Sequence, residues 1–254
     1  MIPFNALVPS RYGLMLFHRL DAYVGRSIDA YGEFSPDETE FLCRLVGPGS
    51  IVLDGGANIG ALTVPLAQRV GPHGAVYAVE PQRQTFQALC ANVALNSLPN
   101  VVTRHVALGR APGTIKIPTL DLTHQQNVGG LNIQGHKQGE SIPVVRIDDL
   151  GLPGITLLKL DLEGMERDAL AGAKRTIREH RPILYVENDR EQHRDALISD
   201  IQGMGYRCWW HITPLYRRAN YRMERQNVFG KTVSINMVCL PDGDTRDFGL
   251  EPIP

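Results

Sequence analysis

The segment from Ser50 to Val70 does most to limit what this chain can become. Ser50-Ile51-Val52-Leu53 is an apolar run of strand character, closed by Asp54 and followed by Gly55-Gly56-Ala57-Asn58-Ile59-Gly60 before a helical stretch from Ala61 to Val70. Glycines where a strand passes into a helix let a ligand approach the backbone closely. A second apolar run, Ala75 to Val79, ends in Glu80, 20 residues beyond Gly60. An acid at that distance is placed to hold a ribose.

The pattern around this junction alternates strand and helix. Strands are expected at Ile51 to Leu53, Ala75 to Val79, Val101 to His105, Thr156 to Leu160, Ile183 to Val186, Tyr206 to Trp210 and Ser234 to Leu240, with helices at Ile59 to Val70, Arg83 to Asn96, Arg167 to His180 and Glu191 to Met204. Such alternation predicts an α/β fold with a doubly wound, mostly parallel, seven-stranded sheet. Between Gly113 and Arg146 it breaks, and Thr114 to Ile117 with Ile142 to Arg146 reads as a hairpin-like insertion around a polar loop. Residues 1–46 are expected to form a helical cap: from Leu14 to Ala30 the apolar residues Leu16, Leu20, Tyr23 and Val24 recur at helical spacing, and Ser35-Pro36-Asp37-Glu38 reads as an N-cap, a first-turn proline and first-turn acids of a helix running to Val46. The remainder, 47–254, is expected to be one domain.

Charge narrows the ligand. Reading glycines from Gly55, the second position of a dinucleotide fingerprint falls on Ala57, and Asp54 stands immediately before the turn where a diphosphate would lie. Repulsion makes pyrophosphate a poor guest. S-adenosylmethionine carries a sulfonium and an ammonium and no phosphate, so Asp54 near its amino-acid end and Glu80 on its ribose hydroxyls would form charge-assisted hydrogen bonds. With 26 Lys and Arg against 27 Asp and Glu, no net field draws nucleic acid or an anionic membrane. His18, Arg19 and Asp21 interrupt the apolar residues between Leu14 and Val24, so neither export nor a membrane span is indicated, and a cytoplasmic enzyme is expected. Self-association into a homo-oligomer is compatible with the sequence. Cys43, Cys90, Cys208 and Cys239 have neither zinc-site nor disulfide-scaffold spacing.

Ligands of open parallel sheets sit at the carboxyl ends of the strands, and here those ends are acidic. The fourth strand runs into Lys159-Leu160-Asp161-Leu162-Glu163-Gly164 and the fifth into Glu187-Asn188-Asp189. Asp161 and Glu163 are candidate groups at a transfer centre, and Asp161, Glu187 and Asn188 offer oxygens suited to Mg²⁺ or Ca²⁺. Methyl transfer to oxygen needs alignment and a proton acceptor, for which His211 is the first candidate and His193 the second. Trp209, Trp210, Tyr216 and Tyr221 are candidates for an aromatic wall, although core packing explains them more cheaply. Arg217, Arg218, Arg222 and Arg225 are candidates for gripping an acidic group, with a solvated loop as the simpler reading. Gln125-Gln126-Asn127-Val128-Gly129-Gly130 reads as a loop able to act as a substrate-side lid.

These residues resemble the FkbM family of S-adenosylmethionine-dependent methyltransferases. The resemblance covers Tyr31-Gly32-Glu33-Phe34, the turn from Val52 to Gly60, Val79-Glu80-Pro81, Ala107-Leu108-Gly109 and the run from Leu158 to Glu166. It implies a doubly wound sheet with one reversed strand and O-methylation of a hydroxyl on a saccharide or natural product. It also implies that Asp54, Gly56, Asn58, Gly60 and Glu80 surround the cofactor, with Glu33, Pro81 and Ala107 of the matching blocks beside them. Gly55 departs from the usual residue at its place and is expected to loosen the turn. Catechol-type methyltransferases place a lysine base three residues after the first acid; Gly164 stands there, so the base must lie elsewhere. Methylation of an amine or peptide nitrogen and a nucleotide-dependent oxidoreductase are the alternatives.

Overall fold

A computed structural model describes residues 4–121, 123–130 and 135–254. In chain order the elements are a hairpin of β1 (Asn5–Ser10) and β2 (Gly13–His18), then α1 (Val24–Tyr31), α2 (Pro36–Leu45), β3 (Ile51–Gly55), α3 (Thr63–Val70), β4 (Ala75–Val79), α4 (Arg83–Leu95) and β5 (Val101–Arg104). There follow β6 (Ala107–Leu108), β7 (Gly113–Ile117), β8 (Glu140–Val145), β9 (Leu157–Leu160), α5 (Glu166–Ala171), α6 (Lys174–His180), β10 (Ile183–Glu187), α7 (Glu191–Gln202), β11 (Tyr206–Pro214), β12 (Val233–Pro241) and β13 (Pro252–Ile253).

The main sheet has the order β13-β11-β12-β10-β9-β3-β4-β5. The seven expected strands are present, and β12 runs antiparallel to both its neighbours. The two-residue β13 adds an eighth strand at the edge, too short to leave a periodic signal. Succession from β3 goes to β4 and β5 on one side and returns to β9 and β10 on the other, so the strand order reverses between β3 and β9. That reversal opens a crevice at the strands' carboxyl ends. The insertion forms a separate three-stranded sheet, with β7 and β8 antiparallel as expected and β6 alongside β8.

Register decides which side chains share a face. Asp54 lies opposite Lys159, Lys159 opposite Tyr185, Glu187 opposite Asn236, and Asn236 opposite His211. Directly opposed residues point to the same side of a sheet, as do residues two apart in one strand. These groups therefore face α2 and α3, where Phe41, Leu42, Val52, Leu66 and Tyr185 pack. Leu158, Leu160, Leu184 and Val186 face the opposite core with Ala169 and Leu197.

The N-terminal segment differs from the helix expected between Leu14 and Ala30. Its first part is β2, in which Met15 and Phe17 are buried while Leu14 is exposed, a two-residue alternation hidden inside an unbroken apolar run. Gly13, with φ 126°, turns the hairpin, and only Val24–Tyr31 is helical. Two asparagines, one within α4 and one at its C-cap, complete the edge of β2. Asn92 accepts from the Leu16 N–H at 2.6 Å and donates to its carbonyl at 2.9 Å, and Asn96 does the same for Leu14 at 2.9 and 2.7 Å. Each side-chain amide thus stands in for a neighbouring strand's peptide group. The single helix expected over Arg167 to His180 is broken into α5 and α6 at Gly172, where a Cβ would overlap the Gly109 carbonyl.

Candidate functional site

A cavity of about 530 Å³ opens over the crevice. Gly56, Ala57 and Asn58 of the turn line its floor, with Glu80, Pro81 and Gln82 after β4, Asp161 and Glu163 after β9, and Tyr23 and Phe34 of the N-terminal segment also in the lining. The floor depends on two left-handed backbone positions. Gly56, at φ 72°, presses so closely on β9 that a Cβ would meet the Asp161 carbonyl oxygen, and Asn58 holds φ 52° while its Oδ1 accepts the next N–H at 2.7 Å. Gly60, also left-handed, supports the turn from below against Leu89 and does not line the cavity. Gly55 is an ordinary strand residue packed between Leu108 and Leu160, so it does not loosen the turn.

Glu80 occupies the place the sequence gives it. Its Oε2 accepts the Asn58 N–H at 2.9 Å and its Oε1 the Gln82 N–H at 2.8 Å, tying β4 to the glycine turn. Burial pushes its carboxyl up to about 7, against the downward pull of those two donors.

Asp54 is not where the sequence places it, at the ligand's cationic end. It is fully buried beneath the turn and does not line the cavity. Thr63 donates to its Oδ2 at 2.6 Å, and the Lys159 ammonium lies 3.1 Å from its Oδ1. Lys159 also donates to the Gly56 carbonyl at 3.0 Å and stands 3.7 Å from Asp161 Oδ2. Burial works against the Lys159 charge, but Asp54 first and Asp161 next more than offset it, so its pKa rises. The acid expected at the cofactor's cationic end is consumed by a lysine two residues before Asp161.

On the far side of the crevice three carboxylates converge. Asp161, Glu163 and Glu187 each place an oxygen within 4.8 Å of the others. Glu163 adopts φ 55°, a strained conformation for a residue with a side chain, and Arg190 donates to it at 2.7 Å. Burial, with Asp161 adding repulsion, pushes Glu163 up to about 7 and Glu187 well above the usual carboxylate range. The expected metal set of Asp161, Glu187 and Asn188 is not assembled. Asn188 follows Glu187 directly and points to the opposite face, where its amide donates to the Arg194 carbonyl at 3.4 Å and touches the Met237 sulfur.

Three further expected site residues lie elsewhere. His211 is buried outside the cavity, stacked on Phe41 at 4.0 Å with its Nδ1 2.8 Å from the Tyr185 hydroxyl, and burial lowers its pKa to about 4. A histidine so enclosed is not a base open to an acceptor. Glu33 is buried at the seam between the N-terminal segment and the loop after β11, where it pairs with Arg11 and accepts the Tyr221 N–H at 3.0 Å. Ala107 pairs with Val144 in the small sheet, away from the cavity. His193 borders a second, smaller hollow of about 170 Å³ beside α5 and α7.

Other candidates resolve into packing. Trp209 and Trp210 lie under Arg207 and Arg194, and Tyr216 packs on Tyr31. Arg217 pairs with Asp37 at 3.1 Å and Glu40 at 2.5 Å, and Arg222 donates to the Asp29 carbonyl. These arginines bind the loop after β11 to the N-terminal segment. Of the lid loop, Asn127 to Gly130 do line the cavity, and Gly129 packs against the Asn58 amide. Glu38, not among the residues expected at the site, is carried to the cavity by α2 and buried there. Its first-turn position carried the only signal, read as helix capping.

Residues 54–208 match the methyltransferase FkbM domain family. The chain is similar to Methyltransferase 1 of Beauveria bassiana (strain ARSEF 2860), 28% identical over an alignment of 145 residues, with 48% of this chain and 58% of that protein covered. A structure of a methyltransferase FkbM from Methylobacillus flagellatus KT aligns at TM-score 0.48 with 20% identity, over 76% of this chain and 44% of that one. An S-adenosylmethionine-dependent O-methyltransferase structure from Thermotoga maritima aligns at TM-score 0.50 with 12% identity, over 95% of this chain and 79% of that one, a likeness of fold. Among the described residues no helix is long and apolar enough to cross a membrane.

Proposed function

This chain belongs to the methyltransferase FkbM family, and on that premise we propose that it transfers a methyl group from S-adenosylmethionine to a hydroxyl of a saccharide or natural product. One observation carries the reading: the cavity at the strand reversal is lined by Glu38, Glu80, Asp161, Glu163, Glu187 and Asp189, and the cations that line it among the described residues, Lys159 and Arg190, are both paired with acids. Such a site favours a phosphate-free, cationic nucleoside over a diphosphate.

In this reading Glu80 receives the ribose hydroxyls and the Gly56 to Asn58 backbone lies against the donor. Bound there, the cofactor supplies an electrophilic methyl on a sulfonium. The protein's part is to align the acceptor and take its proton. Asp161 and Glu163 stand nearest the acceptor, joined by Glu187 rather than His211. A carboxyl titrating at about 7 suits proton abstraction near neutrality, which makes Glu163 the general base, steadied by Arg190 at 2.7 Å.

Calorimetric titration with S-adenosylhomocysteine and with NAD tests the cofactor assignment, and methyl incorporation from labelled S-adenosylmethionine into hydroxyl and amine acceptors tests the chemistry. Binding of NAD with indifference to S-adenosylhomocysteine would refute the first. Label found only in amines would refute the second.

A further inference from the structure

With Asp54 committed to Lys159, the cofactor's ammonium needs another counter-ion. Glu38 meets the requirement: it lines the cavity, is 4% exposed, and is supplied by α2 rather than by the strand ends. Ser35 donates to its Oε2 at 2.7 Å and the Asn236 amide to its Oε1 at 3.3 Å. Tyr185 interacts electrostatically with Glu38, and its hydroxyl is 2.8 Å from His211 Nδ1. A phenol has one proton. If Tyr185 gives it to Glu38, His211 must present Nδ1–H to the phenol oxygen.

We infer that Glu38 is the carboxylate that receives the methionyl ammonium of the cofactor, and that Tyr185 and His211 are positioning residues that aim a hydroxyl proton at it. This rests on the proposed use of S-adenosylmethionine. Each element packed on Glu38 contributes: Ser35 from just before its own helix, Lys159 and Asp161 from β9 and its end, Tyr185 from β10 and Asn236 from β12. Asp54 lies behind Lys159, and Asp37 and Arg44 flank His211. Burial raises the Glu38 pKa, while Ser35, Lys159 and Tyr185 pull it back. Uptake of an ammonium then releases the Glu38 proton, so affinity for the amino-acid end rises with pH. His211, far from abstracting the acceptor's proton, is kept neutral by burial.

The test compares S-adenosylhomocysteine with 5′-methylthioadenosine, which lacks the amino-acid end, by calorimetry on the full chain. Glu38→Gln keeps the side chain's shape and is expected to weaken S-adenosylhomocysteine by roughly 10- to 100-fold while leaving methylthioadenosine within about 2-fold. Tyr185→Phe, which removes one hydroxyl, is expected to weaken S-adenosylhomocysteine by roughly 2- to 10-fold and to shift the pH dependence of its binding upward. Nitrogen-15 spectra of the wild type are expected to show His211 neutral and protonated on Nδ1. Equal losses for both ligands in Glu38→Gln, or no loss for either, overturn the assignment of Glu38. An unshifted pH curve in Tyr185→Phe, or a proton on Nε2 of His211, overturns the relay. A wild type that binds neither ligand brings down the cofactor reading itself, a result separate from all of these.

Discussion

Replacing Lys159 by methionine should expose how far the crevice depends on one buried ion pair. The ammonium lies 3.1 Å from Asp54 Oδ1 and donates to the Gly56 carbonyl at 3.0 Å, and both partners are almost fully buried. Methionine fills a similar volume but leaves Asp54 with only the Thr63 hydroxyl at 2.6 Å. Breaking a buried pair by removing one partner costs about 3–5 kcal/mol, because the remaining charge is stranded. For 254 residues the unfolding entropy is about 0.5 kcal/mol per degree, so the melting temperature should fall by about 6–10 °C. Changing Asp54→Leu in the same chain removes the stranded charge and should restore most of the loss, since an apolar replacement of a whole buried pair is often neutral. Calorimetric melts of wild type, both single variants and the double variant form the cycle. The reasoning fails if Lys159→Met melts within about 2 °C of wild type, or if the double variant melts below the Lys159→Met single.

Further outcomes follow from the site. Gly56→Ala must place a Cβ against the Asp161 carbonyl at φ 72°, so it should cost at least about 1–2 kcal/mol in a denaturant titration and abolish S-adenosylhomocysteine binding. Glu80, pushed up to about 7, accepts ribose hydroxyls best when ionised, so affinity for methylthioadenosine should rise from about pH 6 to about pH 8 and lose that slope in Glu80→Gln. The same raised pKa means that Glu80's contribution to stability is present at low pH and is lost as pH rises through about 7, a decline that thermal melts of Glu80→Gln should lack. Glu163→Gln should lower turnover by about 10²- to 10⁴-fold and remove a rising limb near neutrality from the pH–rate profile, whereas an unchanged profile would assign the base elsewhere.

Much of the crevice was legible from residue order. Glu80 was found because an acid ending the second strand of a βαβ unit can only face the turn that ends the first. Asp161 and Glu163 were found in the same way, at the end of β9. Where the reading went astray, alternation or burial intervened. Glu187 and Asn188 are adjacent in sequence and so fall on opposite faces, which separates the expected metal set. The helix expected across Leu14–His18 failed because the run is apolar at nearly every position and supports a period of two as well as 3.6.

The sequence by itself determined the layered sheet, its reversal point and the acids at the strand ends, because these follow from periodicity, turn chemistry and the short connections of a parallel fold. Only the tertiary structure decided which acids remain free for a ligand. Asp54 is spent on Lys159 because register places them side by side across two strands that lie far apart in the chain. Glu38 reaches the cavity because α2 packs over that same row, and His211 is withdrawn beneath Phe41 by the same layer. Pairings of this kind are set by which strands become neighbours and which helix covers them, and no local pattern in the chain encodes either.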